Sequence, residues 1–412
     1  MHESCLRATT TSAKLQSLQL SSHQNTTNSV FFRVLSVRGS RLARKELQAP
    51  DPLGGWSTQI VPCNDAIVVP PVWAGPKQRA GILKPNGGYI AQGSTWRYER
   101  VTTAVPKPVH PSQTVPGTWL WAGVLFDHFG HFLTESLTRM WAWYHLTEPV
   151  AGICYMPKRP GRGGELRSYQ TQVLAAFGVD VPVHLVTEPT QFESLIVPGQ
   201  GFGLGAISTG TPLMRQAVRA HFGVTIQPDG PERLYLSRSR LDPAAGAIMG
   251  EVLLEDRLRA EGYEIFHPQD HDIPTQIARY KAARKLIIAD GSTGHLFAFV
   301  GREHQQIAYL LRRRFWIDGP INHIASFCGS APLVLDTFCT EWQPVAPDTS
   351  ARGVVYVQHS MNALHAALLK GRFVSQTDPW PEPGEDLSRS YLERTGALSL
   401  FHDVAGMEKA AG

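Results

Sequence analysis

The chain has 412 residues, 42% of them hydrophobic and 18% charged, with 37 Gly, 30 Pro and 10 Trp. These proportions exclude a disordered, collagen-like or coiled-coil protein, and the length exceeds one comfortable core, so two domains are expected. Lys and Arg number 39 against 35 Asp and Glu, a net charge of +4. That is too little for a nucleic-acid reader but suits an anionic small ligand. Cys5, Cys63, Cys154, Cys328 and Cys339 form no CxxC pair, so they read as reduced, cytosolic thiols rather than a disulfide framework.

The first 45 residues are rich in Ser, Thr, Gln, Asn and Arg, with Glu3 their only acid. Such a bias can mark a transit peptide, but there is no apolar h-region of a secretory signal, and the plainer expectation is that residues 1–48 are disordered. The Asn25-Thr26-Thr27 sequon carries weight only on a secretory route. No apolar run reaches the ~18–20 residues of a membrane span; the longest, around residues 296–300, are strand-sized.

From residue 119 onward, strands alternate with helical patterns. Strands are expected at 120–126, 152–155, 183–186 and 195–197, and helices from 127 through 146, at 166–177 and at 212–222. The Gly- and Pro-interleaved segment 157–164 reads as a loop. In the second half, strands are expected at 234–236, 263–266, 285–289 and 306–310. A helix between the first two would carry Ile248, Val252 and Leu258 on one side. Asp272 would cap the next helix, with Pro274 in its first turn and Ile277 and Tyr280 buried. A turn and helix follow at 291–301, and residues 353–372 look helical with Leu364, Ala367 and Leu368 in step. The tail from Pro379 is expected to pack loosely.

This alternation implies an α/β fold whose parallel sheets are covered on both faces. The expected division is an N-terminal Rossmann-like domain at 49–226, a second at 227–345 joined through residues 227–231, and a helix and tail at 346–412, with a cleft between the two domains.

The most informative helix carries His128, His131, Glu135 and Arg139 within an arc of about 80°, opposite Leu133, Leu137, Met140, Trp141 and Tyr144. Since it follows a strand directly, its first turn lies at a carboxyl edge, where open α/β sheets bind ligands. Three readings stand open. The stripe can be a solvated face with a Glu135–Arg139 pair. It can be a His131–Glu135 pair that takes a proton from a hydroxyl. Or His128, His131 and Glu135 can converge on a metal, although this is not HExxH and no fourth ligand is evident.

Two further features meet at one sheet edge. The strand at 234–236 runs into Ser237-Arg238-Ser239-Arg240, and the strand at 285–289 runs into Asp290-Gly291-Ser292-Thr293-Gly294-His295. A helix start with Gly291 and Gly294 beside it favours an anion, and Arg238 can add a fork of charged donors, so a diphosphate would fit. The alternative is that Ser292 merely caps a helix and Arg238 pairs with a surface acid. Gly199-Gln200-Gly201-Phe202-Gly203-Leu204-Gly205 reads as a flexible cleft loop, and Arg312-Arg313-Arg314 as a solvated edge. Core packing should claim at least half of Trp119, Trp121, Trp141 and Trp143.

Over residues 119–315 the chain resembles glycosyltransferase family 61, the group that includes bacterial capsular polysaccharide biosynthesis proteins. The family's Asn-aromatic-x-His-aromatic-Leu-x-acid segment is matched by His128-Phe129-Gly130-His131-Phe132-Leu133-Thr134-Glu135. Its Tyr-x-Ser-Arg strand end is matched by Tyr235-Leu236-Ser237-Arg238, and a Gln in the following helix by Gln276. Two positions depart from the pattern. His128 stands where the family commonly has Asn, and a Gly-Pro-His-Gly-Ala-Gly turn is replaced by Ala289-Asp290-Gly291-Ser292-Thr293-Gly294, with the His at 295.

The resemblance implies a GT-B-like architecture of two Rossmann-like domains and inverting transfer from a nucleotide-sugar to a glycan hydroxyl without an obligatory metal. It places His131 and Glu135 as catalytic and His128 and Arg139 on the acceptor side or in support. Ser237, Arg238, Gln276, Gly291, Ser292, Thr293, Gly294 and His295 fall at the donor. No cofactor beyond the nucleotide-sugar is expected, nor any nucleic-acid partner. The expected setting is cytoplasmic, with possible contact to the inner face of the membrane, in cell-surface polysaccharide assembly. A non-catalytic carbohydrate- or nucleotide-binding protein of the same fold, or a metal-dependent hydrolase, are the alternatives.

Overall fold

A 13-residue strand whose last seven side chains are all buried organises the first half of the molecule. In the computed structural model, which describes residues 48–51, 54–75, 77–161, 164–205, 209–345 and 354–404, six strands form this sheet. They are β1 (Ile60–Val69), β2 (Gly81–Leu83), β3 (Gln113–Leu125), β4 (Gly152–Pro157), β5 (Val183–Leu185) and β6 (Thr190–Pro198), in the order β2-β1-β6-β3-β4-β5. The four strands β6, β3, β4 and β5 run parallel, while β1 pairs antiparallel with both β6 and β2. The first sheet is therefore mixed, not wholly parallel. The acid-poor start of the chain, with Cys5 and Asn25-Thr26-Thr27, lies outside the described residues.

The second sheet is all parallel. Strands β7 (Arg233–Leu236), β8 (Glu264–Phe266), β9 (Lys285–Ala289), β10 (Gln306–Leu310) and β11 (Leu333–Leu335) stand in the order β8-β7-β9-β10-β11. Its side chains divide by strand period: Leu234, Leu286, Ile288 and Tyr309 enter one buried cluster, Tyr235, Ile287, Ala308 and Leu310 the other. Both faces are covered, as a parallel sheet requires. The first of these clusters continues without a break into the first sheet, taking in Leu120, Phe132, Phe177 and Phe222. A single core thus lies beneath both sheets.

The helices are α1 (Ser168–Ala176), α2 (Pro212–His221), α3 (Glu251–Ala260), α4 (Ile273–Ala282), α5 (Thr293–Val300), α6 (Asp318–Cys328), α7 (Met361–Lys370) and α8 (Leu387–Arg394). Local chemistry sets their starts. Thr211 and Asp272 accept the N–H groups of Met214 and Thr275, with a Pro in each first turn. Ile277 and Tyr280 are buried as expected.

Several expectations are corrected. The helix through residue 146 is broken into an α turn (Phe129–His131), a π turn (Phe132–Ser136) and a 3₁₀ segment (Met140–His145). Ile248 lies in a two-residue strand (Ala247–Ile248), because Gly250 at φ +77° delays α3, and Val252 is more than half exposed. The inward positions of α3 are instead Leu254, Leu258 and two carboxylates, Glu251 and Glu255. In the region expected to be helical from 353 to 372, the strand Tyr356–His359 precedes α7.

The tail is packed, not loose. Trp380 and Leu392 are buried, and the Glu382 carboxylate accepts from the Ser360 hydroxyl at 2.6 Å and from the amides of Met361 and Asn362 at 3.0 Å. Tyr356–His359 also joins Ala247–Ile248, Phe338–Pro344 and Phe401–Asp403 in a third sheet. Cys63, Cys154, Cys328 and Cys339 form no disulfide with one another.

His359 ties the third sheet to the second. Its Nε2 lies 2.9 Å from the Leu311 carbonyl, so it carries the proton, and Nδ1 accepts from the Thr337 hydroxyl at 2.9 Å. Burial pushes this imidazole down to about 4 from its ordinary 6.5. Between those values the unfolded chain binds more protons, so the stabilisation is complete above about pH 6.5 and is lost as pH falls towards 4. It amounts to at most about 3 kcal/mol. The melting temperature is expected to drop steadily over this interval, and His359→Phe should make the drop shallower. An unchanged pH profile in the variant would refute this account.

Candidate active site

The strand β3 ends at a turn that delivers His128 and His131 to the carboxyl edge of its sheet. Its last turn is held by the Phe126 amide, which donates to the Ser136 hydroxyl at 3.0 Å. His131 is about half exposed, and its Nδ1 lies 2.6 Å from Glu135 Oε1. Glu135 itself is buried, at 8% exposure. Both its oxygens are engaged, since Arg97 donates from Nη2 to Oε1 at 2.6 Å and from Nε to Oε2 at 3.1 Å. Burial alone would raise the Glu135 carboxyl. The hydrogen bond to His131 and the charge of Arg97 outweigh it and hold the group below the usual carboxylate value. Glu135 is therefore an ionised acceptor, His131 Nδ1 carries the proton, and the Nε2 lone pair is left for the exposed side.

Of the other members of the stripe, His128 stays beside His131, with ring centroids 5.0 Å apart, and is exposed. Burial and the neighbouring His131 lower its basicity. Arg139 does not share this surface. It is 1% exposed and donates to the carbonyls of Gln92 at 3.1 Å, Ser94 at 2.6 Å and Pro198. The π turn adds backbone between Glu135 and Arg139, so a projection at 100° per residue misplaces everything after it. Gly123, at φ +109° in β3, leaves room for the Arg139 stem, whose Nε lies 3.4 Å from where a Cβ would stand. The expected Glu135–Arg139 pair is replaced by Glu135–Arg97.

Opposite this segment stands the turn between β9 and α5. A Cβ on Gly130 would lie 2.7 Å from Ser292 Oγ, so the two loops touch here and a side chain at 130 would have to displace the Ser292 hydroxyl. Asp290, 1% exposed, accepts from the Tyr309 hydroxyl at 2.8 Å and faces Arg313 Nε at 3.1 Å. Ser292 has no side-chain cap bond, and the start of α5 presents the amides of Ser292 and Thr293. Gly294 packs against the Tyr309 ring.

Arg238 leans over Gly291, its Nη1 2.8 Å from where a Cβ would stand, and Nη2 donates to the Gly246 carbonyl at 3.1 Å. Its Nε is buried and has no hydrogen-bond partner among the described residues. Arg312 is buried beside it; burial and then the charge of Arg238 push its guanidinium down to about 10, so it remains charged at neutral pH. The Arg312–Arg314 run is thus not a solvated edge. Arg313 holds Asp290, and Arg314 pairs with Asp336 at 3.0 Å. Arg238, Arg312 and Arg313 gather near Asp290 and beside the first amides of α5, a combination that suits an anion.

Ser237 and Gln276 sit deeper. The Ser237 hydroxyl donates to Glu255 at 2.7 Å and lies 3.1 Å from Glu251, whose carboxylate also accepts the Arg238 amide at 2.8 Å. Gln276 donates to the carbonyls of Pro268 and His271 at 2.8 and 3.0 Å and accepts from Tyr280. The bonds of both are spent on bracing neighbouring segments of the second half. His295 turns inward, its Nδ1 3.0 Å from Nδ1 of His323.

The loop 199–205 is ordered by packing, with Gln200 bonded to both backbone polar groups of Trp96 and Phe202 buried. Trp119, Trp121 and Trp141 belong to the core. Among the described residues, no group of three or more His, Cys, Asp or Glu side chains is arranged to hold a metal ion. Two open hollows elsewhere, one beside Cys63, Lys84 and Tyr89 and one beside Trp143, Glu148 and Asp180, gather no comparable set of charged groups.

Residues 129–306, a little over two fifths of the chain, match the model of the family Glycosyltransferase 61. Over this stretch the chain is similar to glycosyltransferase family 61. The family implies a glycosyltransferase, on a mixed α/β frame that is compatible with one. No curated protein matches the chain at a significant level. The family-61 stretch begins at the turn carrying His131 and closes at β10, so it encloses both sides of the gap. It does not enclose Arg97, Arg312, Arg313 or His323. Nothing periodic marks Arg97, which sits in a two-residue strand (Trp96–Arg97) between turns.

Proposed function

We propose that the chain is an inverting glycosyltransferase of GT-B-like, two-domain design that moves a sugar from a nucleotide-sugar to a hydroxyl of a glycan acceptor. The 49–226 side would take the acceptor and the 227–345 side the donor. The single observation that carries this reading is the meeting of the His131–Glu135–Arg97 relay with the Arg238 and Ser292 anion site across Gly130. A base and a leaving-group site facing one gap are what a direct displacement needs. The acceptor oxygen attacks the anomeric carbon, its proton passes to His131 Nε2, and the bond to the diphosphate breaks on the opposite face. Glu135 stabilises the imidazolium that forms, and Arg97 keeps Glu135 ionised. Arg238, Arg312 and the amides of Ser292 and Thr293 meet the charge that grows on the diphosphate.

In this reading the transfer needs no metal, because fixed cations take the place a divalent ion would fill at the phosphates. Among the described residues no helix is long and apolar enough to cross a membrane. The proposed setting is the cytoplasmic side of a membrane, in cell-surface polysaccharide assembly of the bacterial capsular type. The test is a thermal-shift panel of nucleoside diphosphates and nucleotide-sugars with and without chelator. One nucleotide class should raise the melting temperature equally in both conditions. A shift that appears only with divalent metal, or with none of the nucleotides, would sink the proposal.

A further inference from the structure

His323 is used by none of the chemistry above, yet it is the best-enclosed imidazole near the gap. α6 carries it into the interior with no exposed surface. Its ring packs against Phe202, Phe299 and Phe327, with centroids 4.7, 5.2 and 4.6 Å away. Its one polar contact is Nδ1 to Nδ1 of His295 at 3.0 Å, and its Nε2 is buried with no hydrogen-bond partner among the described residues. Two ring nitrogens at that distance share a single proton: two lone pairs repel and two N–H groups collide.

Two arrangements are possible. If His295 donated, neutral His323 would carry its remaining proton on Nε2, an orphaned N–H in an aromatic cage. If His323 donates, its Nε2 is only a bare lone pair there, which costs less, since buried N–H groups without partners are rarer than buried acceptors without them. His295 Nδ1 then accepts, and its own proton sits on Nε2, at the ring edge turned away from His323. The charged and titratable groups bearing on that ring are Asp290 first, then His131, Arg313 and His128.

We propose that His323 is a positioning residue that fixes His295 as the Nε2–H tautomer. An uncharged N–H donor thereby stands beside the Ser292 and Thr293 amides for an oxygen of the departing diphosphate. The last clause rests on the transferase reading; the tautomer does not. Burial keeps both rings neutral, with His295 pushed down to about 4 and His323 well below its ordinary value. The donor is therefore present throughout the neutral range.

Long-range nitrogen–proton correlation spectra of the whole protein at pH 7, assigned with His295→Ala and His323→Leu, read the tautomers directly. The expected result is a proton on Nδ1 of His323 and on Nε2 of His295, and the reverse pattern overturns the proposal. Calorimetry with inorganic pyrophosphate then tests the consequence. His323→Leu, which suits the aromatic cage, should weaken binding about tenfold, and His323→Asn, whose amide nitrogen can stand in for Nδ1, should restore most of it. Equal affinity in all three proteins, or no binding by wild type, overturns the anion-donor role. Failure of sugar transfer with both of these results intact would count against the transferase reading alone.

Discussion

His131→Ala is expected to lower the rate of sugar transfer about 10²–10⁴-fold, the usual worth of a positioned general base. Nucleotide affinity should stay within about twofold. The expectation follows from the division of labour around Glu135. Its two oxygens are held by Arg97 and by His131 Nδ1, and it is almost wholly buried. It can orient and stabilise an imidazolium, but its burial leaves little surface at which to take a substrate proton. The exposed half of the pair is His131. Glu135→Gln should therefore cost part of the rate by removing the stabilising charge, and Arg97→Ala should act in the same direction through Glu135. Single-turnover kinetics with saturating donor check this, and a fully active His131→Ala would remove the base from the gap altogether.

Arg238→Ala should weaken nucleoside diphosphate binding about 10–100-fold, the range for a charge-assisted hydrogen bond that is partly desolvated. Its guanidinium lies over Gly291 and keeps a buried Nε without a hydrogen-bond partner among the described residues. Arg238→Lys should recover little, because a point charge cannot reproduce the fork that reaches both Gly246 and the gap. The main-chain bond from residue 238 to Glu251 survives either change, so the fold should persist. Titration calorimetry with the nucleotide found by the thermal-shift panel gives the number. Wild-type affinity in Arg238→Ala would move the anion site elsewhere.

The second sheet was the most legible part of the sequence. Its strands from 233 to 310 are continuous apolar runs, its α4 cap is a plain Asp-x-Pro start, and the structure reproduces both. β1 was invisible because Pro62, Asn64 and Asp65 read as turn residues, and Asp65 does adopt φ +52°. The His131–Glu135 contact could be read because it is local, four residues along one turn. Arg139 was read onto the wrong side because a π turn leaves no mark in composition. Arg97 and His323 come from segments 38 residues before Glu135 and 28 after His295. Such partners are fixed only by tertiary packing, which no periodicity encodes.

The unbroken apolar core beneath the two sheets has a mechanical consequence. Phe222, from the first half, packs on Phe299, from the second, at 5.3 Å, and the same halves touch at Gly130 and Ser292. Prising the halves apart would expose this layer to water at roughly 25 cal/mol for every Å² uncovered. On the proposed reading, this shared core would hold the spacing between proton acceptor and leaving group as a fixed gauge. Substrates of different length would have to be sorted by that gauge, with any give confined to the rims.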